Sequence, residues 1–471
     1  MTRERRFWAG ATGFLLLVCA LTGLVVLHGS TVGVPVSASP GAGEAVSGRA
    51  RVVLRFGTAM RRESVEERLT VAPESGGGAV PGSWSWVEGE ARSERVAQFV
   101  PAVPLSPGAT YRATLRAGAQ ATNGRTAMEI QSWSFAVRQP RLLFLKADAA
   151  GRAQVWAASA DGTEARQITR AAGGVREFSA APDGERVAFV ASEGRQMTAL
   201  WAIRADGTGE TRLSPAGDTF GYSSPAWSPA GDVIVFVLRA AVPGATQGSF
   251  TLGTAKLWAV TPEGRRLGRI YGRGDEVGFA PVWSPDGTRL AFREQVNASN
   301  NSAVVISDFA APTPVMAGPG SRIAWSPDGS RLAFDETAPD AGGEVRSRVT
   351  IVRADGNDAR TLFGETAGAE AAPDWSPDGS RLAYTRRAQA ADGSPTVEVW
   401  AAGADGTGAR RLLGGDGLTS AEPAWSPDGV SLVATRFNSR TGDDRGIWRV
   451  GADGSSAKLL VPGGERAVWV P

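Results

Sequence analysis

The chain holds one histidine, His28, and one cysteine, Cys19. That scarcity decides much of the available chemistry. A serine or cysteine nucleophile needs a base beside it, most often histidine, and the base needs an orienting acid. Both residues stand in or beside an apolar N-terminal run, so no such constellation can form in the rest of the chain. A zinc site built on histidine or cysteine is excluded for the same reason. No glycine-rich phosphate loop follows a strand and opens a helix, and the sequence contains no EF-hand-like loop. The expectation is a non-enzymatic protein with no metal and no cofactor.

Carboxylate chemistry survives this exclusion, because the chain has 48 Asp and Glu residues. Two acids flanking a glycosidic bond can hydrolyse it. Nothing in the spacing selects such a pair. The acids that recur do so inside a fixed turn, Trp-Ser-Pro-Asp-Gly, at 283–287, 325–329, 375–379 and 425–429. Degenerate copies stand at 180–184 and 227–231. Serine, proline with its fixed φ, aspartate and then glycine suit a type I turn. Asp286, Asp328, Asp378 and Asp428 are expected to accept backbone N–H groups there. Trp227, Trp283, Trp325, Trp375, Trp425 and Trp469 recur once per unit and are expected to pack between neighbouring units.

The turns repeat at 42 to 56 residues, so the array is itself the fold. Each leads into a short apolar strand such as Arg331-Leu332-Ala333-Phe334. A third strand, such as Glu398-Val399-Trp400-Ala401, runs into an Ala-Asp-Gly turn and a fourth strand. Asp-Gly is a strong hairpin signal. Four-stranded units at this period describe an all-β chain ending in a β-propeller over 139–471. Its last residues, Ala467 to Pro471, read as the inner strand missing from the first unit, which begins at Arg141. Six whole units and one composite unit give seven blades, with six or eight still open. Closure of this kind removes bare sheet edges.

The repeats resemble the WD40-like PD40 repeats of the periplasmic translocation protein TolB and of prolyl-oligopeptidase-type propellers. The resemblance covers residues 140–471 and implies a propeller; for TolB-type members it implies action by protein–protein contact. This chain departs from that pattern by carrying an apparent anchor and a further domain in front. Residues 35–138 show strands such as Arg51–Phe56, Arg95–Val100, Tyr111–Leu115 and Ser132–Val137, as a small β-sandwich does. Leu105 to Tyr111 has the form of a tyrosine corner. With Phe56, Met60, Ser64 to Pro73, Phe99-Val100-Pro101 and Trp133-Ser134-Phe135, the segment resembles bacterial Ig-like domains of the SbsA type. That resemblance implies a spacer or adhesion module at the cell surface.

Residues 7–27 are uncharged and mostly apolar, about the length that crosses a bilayer core. Arg3, Arg5 and Arg6 precede them, and no Lys or Arg follows until Arg49. This bias predicts a single-pass anchor over 1–28 with its N-terminus in the cytoplasm, a linker at 29–34, and the remainder extracytoplasmic. A cleaved signal peptide is the rival reading. The formal net charge of +2 argues against a nucleic-acid partner.

In a meander, the two stereotyped turns fall on one face and the variable connections on the other. Binding usually resides in variable loops on a rigid scaffold. Near the start of the innermost strands stand Glu177, Tyr222, Arg273, Arg322, Glu370, Glu422 and Arg466, which are expected to ring the mouth of a central channel. The expected function is binding or scaffolding of a protein or envelope polymer at the bacterial cell envelope. The alternative is a carbohydrate-binding or carboxylate-dependent carbohydrate-cleaving propeller, which would show two carboxylates converging in a pocket.

Overall fold

The computed structural model describes residues 36–46, 48, 50–86, 95–102, 105–126, 130–194, 197–215, 220–243, 250–271, 277–295, 302–309, 314–339, 345–363, 369–390 and 392–471. The expected anchor at 7–27, Cys19, His28 and Arg273 lie outside them. Among the described residues, no helix is long and apolar enough to cross a membrane. The chain divides into two units, Met1–Gln139 and Pro140–Pro471.

The first unit contains β1 (Val36–Ser39), β2 (Ala45–Val46), β3 (Val52–Phe56), α1 (Arg62–Glu66), β4 (Leu69–Pro73), β5 (Gly82–Trp86), β6 (Val96–Pro101), β7 (Thr110–Leu115) and β8 (Gln131–Val137). Two sheets form, in the orders β1-β3-β6-β5 and β2-β8-β7-β4. Alternation puts Val52, Leu54 and Phe56 of β3 inside with Trp133, Phe135 and Val137 of β8. The Tyr111 hydroxyl accepts the Ser106 N–H at 2.9 Å, which fixes the corner before β7. The sequence reading held no helix here. The short α1 arises because Arg61 to Glu66 has no period-2 alternation, and it seals the core with Val65.

The second unit is a succession of four-stranded sheets. One holds β9 (Arg141–Ala147), β10 (Ala153–Ser159) and β11 (Arg166–Gln167). The next holds β12 (Val175–Ala180), β13 (Arg186–Ser192), β14 (Thr198–Arg204) and β15 (Thr211–Arg212). Then come β16 (Phe220–Trp227), β17 (Ile234–Pro243), β18 (Phe250–Val260) and β19 (Arg266–Tyr271), followed by β20 (Val277–Trp283), β21 (Arg289–Gln295), β22 (Ser302–Asp308) and β23 (Val315–Pro319). The rest are β24 (Ile323–Trp325), β25 (Arg331–Pro339), β26 (Val345–Arg353) and β27 (Arg360–Thr361); β28 (Glu370–Trp375), β29 (Arg381–Gln389), β30 (Pro395–Gly403) and β31 (Arg410–Leu413); and β32 (Thr419–Trp425), β33 (Ser431–Phe437), β34 (Gly446–Gly451) and β35 (Lys458–Pro462).

The last strand, β36 (Gly464–Val470), pairs antiparallel with β9, setting Val468 opposite Leu143 and Trp469 opposite Leu142. It completes the first sheet, in the order β11-β10-β9-β36. The second strands supply the largest interior side chains: Phe144, Phe189, Phe292, Phe334 and Tyr384 are fully buried. Burying each such ring contributes roughly 1.5–3 kcal/mol.

Four seams between sheets follow one rule and two depart from it, while the seam onto β12 has Ala180 in the tryptophan's place. The indole N–H of Trp283 donates to the Ala226 carbonyl, Trp325 to Val282 and Trp375 to Ala324, each at 3.2 Å. Trp469 donates to Ala424 at 3.3 Å. Each acceptor is the residue just before the tryptophan of the preceding sheet. At two seams the residue in that place is polar, Ser179 or Asp374. Its side chain takes the next tryptophan's backbone N–H instead, from Trp227 at 3.3 Å and from Trp425 at 2.9 Å. The buried indole N–H groups of Trp227 and Trp425 have no partner among the described residues. Arg186 and Arg381 cover those two rings at 4.9 and 4.6 Å, and each also donates to the turn glycine of the next sheet, Gly231 or Gly429.

Both tryptophans occupy the same place in their sheets, so a Trp→Phe comparison isolates the indole N–H. Trp375→Phe loses a hydrogen bond, whereas Trp425→Phe removes a buried donor that has none. Trp375→Phe is expected to destabilise more, by about 1–3 kcal/mol. Urea midpoints of the two variants check this, and equal losses would remove the distinction between the seams.

Candidate functional site at the channel mouth

The innermost strands touch one another in succession along β12, β16, β20, β24, β28, β32 and β36. Strands converging on one axis cannot all run straight. Six of them shift register: β12 between Val175 and Glu177, and the other five at one shared place, between Ser223 and Ala226, Phe279 and Val282, Ala371 and Asp374, Ala421 and Ala424, and Glu465 and Val468. A bulge bends its strand and re-aims a side chain. At the five shared bulges one residue takes a left-handed φ: Ser224 49°, Ala280 46°, Ala372 52°, Glu422 54° and Arg466 53°. Such conformations cost an L-residue roughly 1–2 kcal/mol. The chain uses glycine at positive φ at 31 described positions, yet not at these five.

Part of this ring lines a cavity of about 350 Å³, bounded by Glu177, Ser224, Ala280 and Arg466 together with Phe178, Pro225, Pro281, Val282 and Val468. Glu177 Oε2 accepts the Ser224 N–H at 2.6 Å, tying β12 to β16. Arg466 reaches Glu422 at 3.7 Å and donates to the Arg176 carbonyl at 3.2 Å. Its own backbone N–H donates to Thr435 Oγ1 at 2.9 Å. A largely apolar lining with the charged Glu177 and Arg466 makes a surface suited to non-covalent recognition.

Of the residues expected at the mouth, Glu177 and Arg466 line the cavity and Glu422 adjoins it through Arg466. Tyr222 and Glu370 require correction. Tyr222 is buried against Phe236 beneath the mouth, with its backbone N–H bonded to Thr198. It stands two residues before the bend, on the strand face that enters the core. Glu370 is 1% exposed and pairs with Arg386 at 3.0 Å. Arg322 is exposed, but its short strand β24 lacks the left-handed bend of its five counterparts, and it does not bound the cavity.

Sequence reasoning missed the interior ion network around Glu370. Glu370, Arg386 and Glu398 stand side by side on β28, β29 and β30. Arg386 stacks on Trp400 at 4.3 Å. Glu398 receives the Trp400 indole N–H at 3.0 Å and Arg411 at 3.1 Å. Burial pushes the Glu370 carboxyl above its ordinary value, against the pull of Arg386, and pushes the Tyr384 phenol up to about 12. These two carboxylates are spent on arginines within the sheet, so they do not form a converging catalytic pair. The signal in the sequence was weak: Arg386 lies 16 residues from Glu370.

The turn aspartates work locally. Asp286 accepts Ser284 Oγ at 2.5 Å and the Thr288 N–H at 3.0 Å. Asp328 and Asp378 do the same with Ser326 and Ser330, and with Ser376 and Ser380. Asp428 takes Ser426 Oγ and the Val430 N–H. Among the described residues, no group of three or more His, Cys, Asp and Glu side chains is placed to hold a metal ion. Burial works upward on Asp286, Asp328 and Asp378, but the serine, threonine and backbone hydrogen bonds outweigh it and hold all three below the usual aspartate range.

These features define an all-β protein that joins an Ig-like sandwich to a propeller-like array of sheets. Residues 34–137 match the bacterial Ig-like domain family. No curated relative matches the chain. Among solved structures, a prolyl endopeptidase is 15% identical with a TM-score of 0.53, over 71% of this chain and 49% of its own. An oligogalacturonate lyase from Vibrio parahaemolyticus is 14% identical with a TM-score of 0.50, over 66% of this chain and 86% of its own. TolB from Acinetobacter baumannii also aligns, at 14% identity and a TM-score of 0.42, over 78% of this chain and 80% of its own. At such identities the likeness to the first two is one of fold alone.

Two expectations follow. Replacing Glu422 by glycine relieves the left-handed strain, so stability should hold or rise by up to about 1 kcal/mol, whereas Glu422→Val should lower it by about 1–2 kcal/mol. Denaturation midpoints that rank glycine below glutamate would contradict the strain. The second concerns acid. An aspartate held low in the folded state adds stability that is full above the unfolded value near 3.9 and is lost as pH falls through the folded value. The thermal midpoint should therefore fall between about pH 5 and pH 2, and less steeply in the triple variant Asp286→Asn, Asp328→Asn, Asp378→Asn.

Proposed function

We propose that this chain is a non-catalytic binding protein of the bacterial cell envelope, and that its channel mouth engages a protein or envelope polymer. In this reading the second unit is a seven-bladed propeller. Residues 7–27 anchor it in the cytoplasmic membrane, with both folded units on the outer side. The observation that carries the reading is the set of side chains kept at the left-handed bends. Glycine would suit the fold better at Ser224, Ala280, Ala372, Glu422 and Arg466, and strain retained around a cavity points to recognition. The buried carboxylates Glu370 and Glu398 are engaged by Arg386 and Arg411, and Asp335 accepts the Ser321 hydroxyl, which favours binding over hydrolysis.

Site-specific photocrosslinking in the native envelope tests this. A photoreactive residue placed at Ser224 or Ala280 is expected to capture a partner. The same residue at Thr288 or Val430, on the stereotyped turns, is expected to capture none. Capture from the turn positions alone would reverse the assignment of the binding face.

A further inference from the structure

Among the described residues, the outer strand of each sheet in the second unit is an unpaired edge, and edges invite pairing with other chains unless they are blunted. Six of the outer strands carry arginine or lysine: Arg166 on β11, Arg212 on β15, Arg266 and Arg269 on β19, Arg360 on β27, Arg410 and Arg411 on β31, and Lys458 on β35. The strand β23 reads Val-Met-Ala-Gly-Pro and has no charge at all. Val315 is 40% exposed and Met316 55% exposed, and Pro314 and Pro319 on either side are exposed as well. Nearby charges are spent on each other, Arg289 with Asp308 at 3.2 Å and Arg353 with Asp355 at 3.3 Å. Val315 also lies against the adjacent turn, since a Cβ at Gly356 would come within 2.4 Å of it. The edge is therefore held in place by Val315, with Met316 as its most exposed apolar side chain.

We infer that β23 pairs with β23 of a second copy of this chain, as the seam of a weak two-fold dimer. Self-pairing sets a strand against its own sequence. On the six other edges it would bring arginine or lysine against like charge, which is unfavourable. On β23 it sets valine and methionine against valine and methionine. A two-fold contact uses one patch twice, and β23 is the outer strand whose side chains complement themselves. The prolines at both ends stop the ladder from growing, so the contact stays small and the association reversible. This inference does not depend on the channel-mouth reading.

Sedimentation of the full chain in detergent solution, over a wide concentration range, tests it. The wild type is expected to sediment faster as concentration rises. Met316→Lys should abolish that dependence with an unchanged melting temperature, and Leu459→Lys, on β35, should leave it as in the wild type. In a Cys19→Ser background, Met316→Cys should form a disulfide-linked dimer on mild oxidation. A wild type whose sedimentation is independent of concentration would overturn the inference. So would a Met316→Lys variant that associates as the wild type does.

Discussion

The fold depends on the seam between one four-stranded sheet and the next. Such a sheet has two apolar faces and cannot bury either alone. Stacking in sequence buries all but the outer faces of the first and last sheets, and closing the array buries those too. The seam therefore needs something repeatable and directional. An indole supplies both: a large apolar ring that fills the wedge between sheets, and one donor that reaches a carbonyl of the preceding sheet. The carbonyl belongs to the residue just before the preceding tryptophan, so at four seams one unit offers the acceptor its successor requires. Pairing β36 with β9 carries the same bond across the chain's two ends, where Trp469 donates to Ala424.

Closure has a consequence at the axis. Strands that end at such a seam and crowd together at the other end cannot all run straight, and in five of them the left-handed residue three places before the tryptophan is the bend. The same bulge that satisfies the geometry decides which side chain faces the cavity. Ser224 lines it, whereas Tyr222, two residues earlier, is turned into the core. Three of the side chains that line the cavity, Ser224, Ala280 and Arg466, therefore sit on positions whose backbone is already strained.

The legible part of the sequence was the part set by local chemistry. Ser-Pro-Asp-Gly encodes its turn within four residues, so the strands around it and the four-strand unit could be read directly. Pairing of the chain's end with Arg141 to Leu143 was legible because the missing inner strand left a gap in a regular pattern. Glu177 and Arg466 could be placed by counting back from the turn. What failed depended on partners distant in sequence. Glu370 has the look of a surface acid until Arg386 is set beside it on the next strand. Arg322 counts to the right place, but the Pro319-Gly320-Ser321 stretch before it shortens β24, and Ser321 is drawn to Asp335 at 2.6 Å. The helix α1 was hidden because five residues carry too little periodicity to show.

The two irregular seams show how much a ring can tolerate. A buried indole N–H without an acceptor costs about 1–3 kcal/mol, and both Trp227 and Trp425 carry one. In an open stack such a seam would be the place where the array parts. In a closed ring, one seam cannot open unless the others bend, so the load is shared. The residues that cause the irregularity also limit it: Ser179 and Asp374 bond the next backbone, and Arg186 and Arg381 cover the exposed ring faces while gripping Gly231 and Gly429. Closure thus does more than remove edges, because it frees individual seams to depart from the common bond. One of the two departures, at β12 and β16, lies beside the cavity, where Glu177 of one strand holds the bend of the other. Variation of the seam and variation of the mouth meet at that point, and the closed ring makes both affordable to the fold.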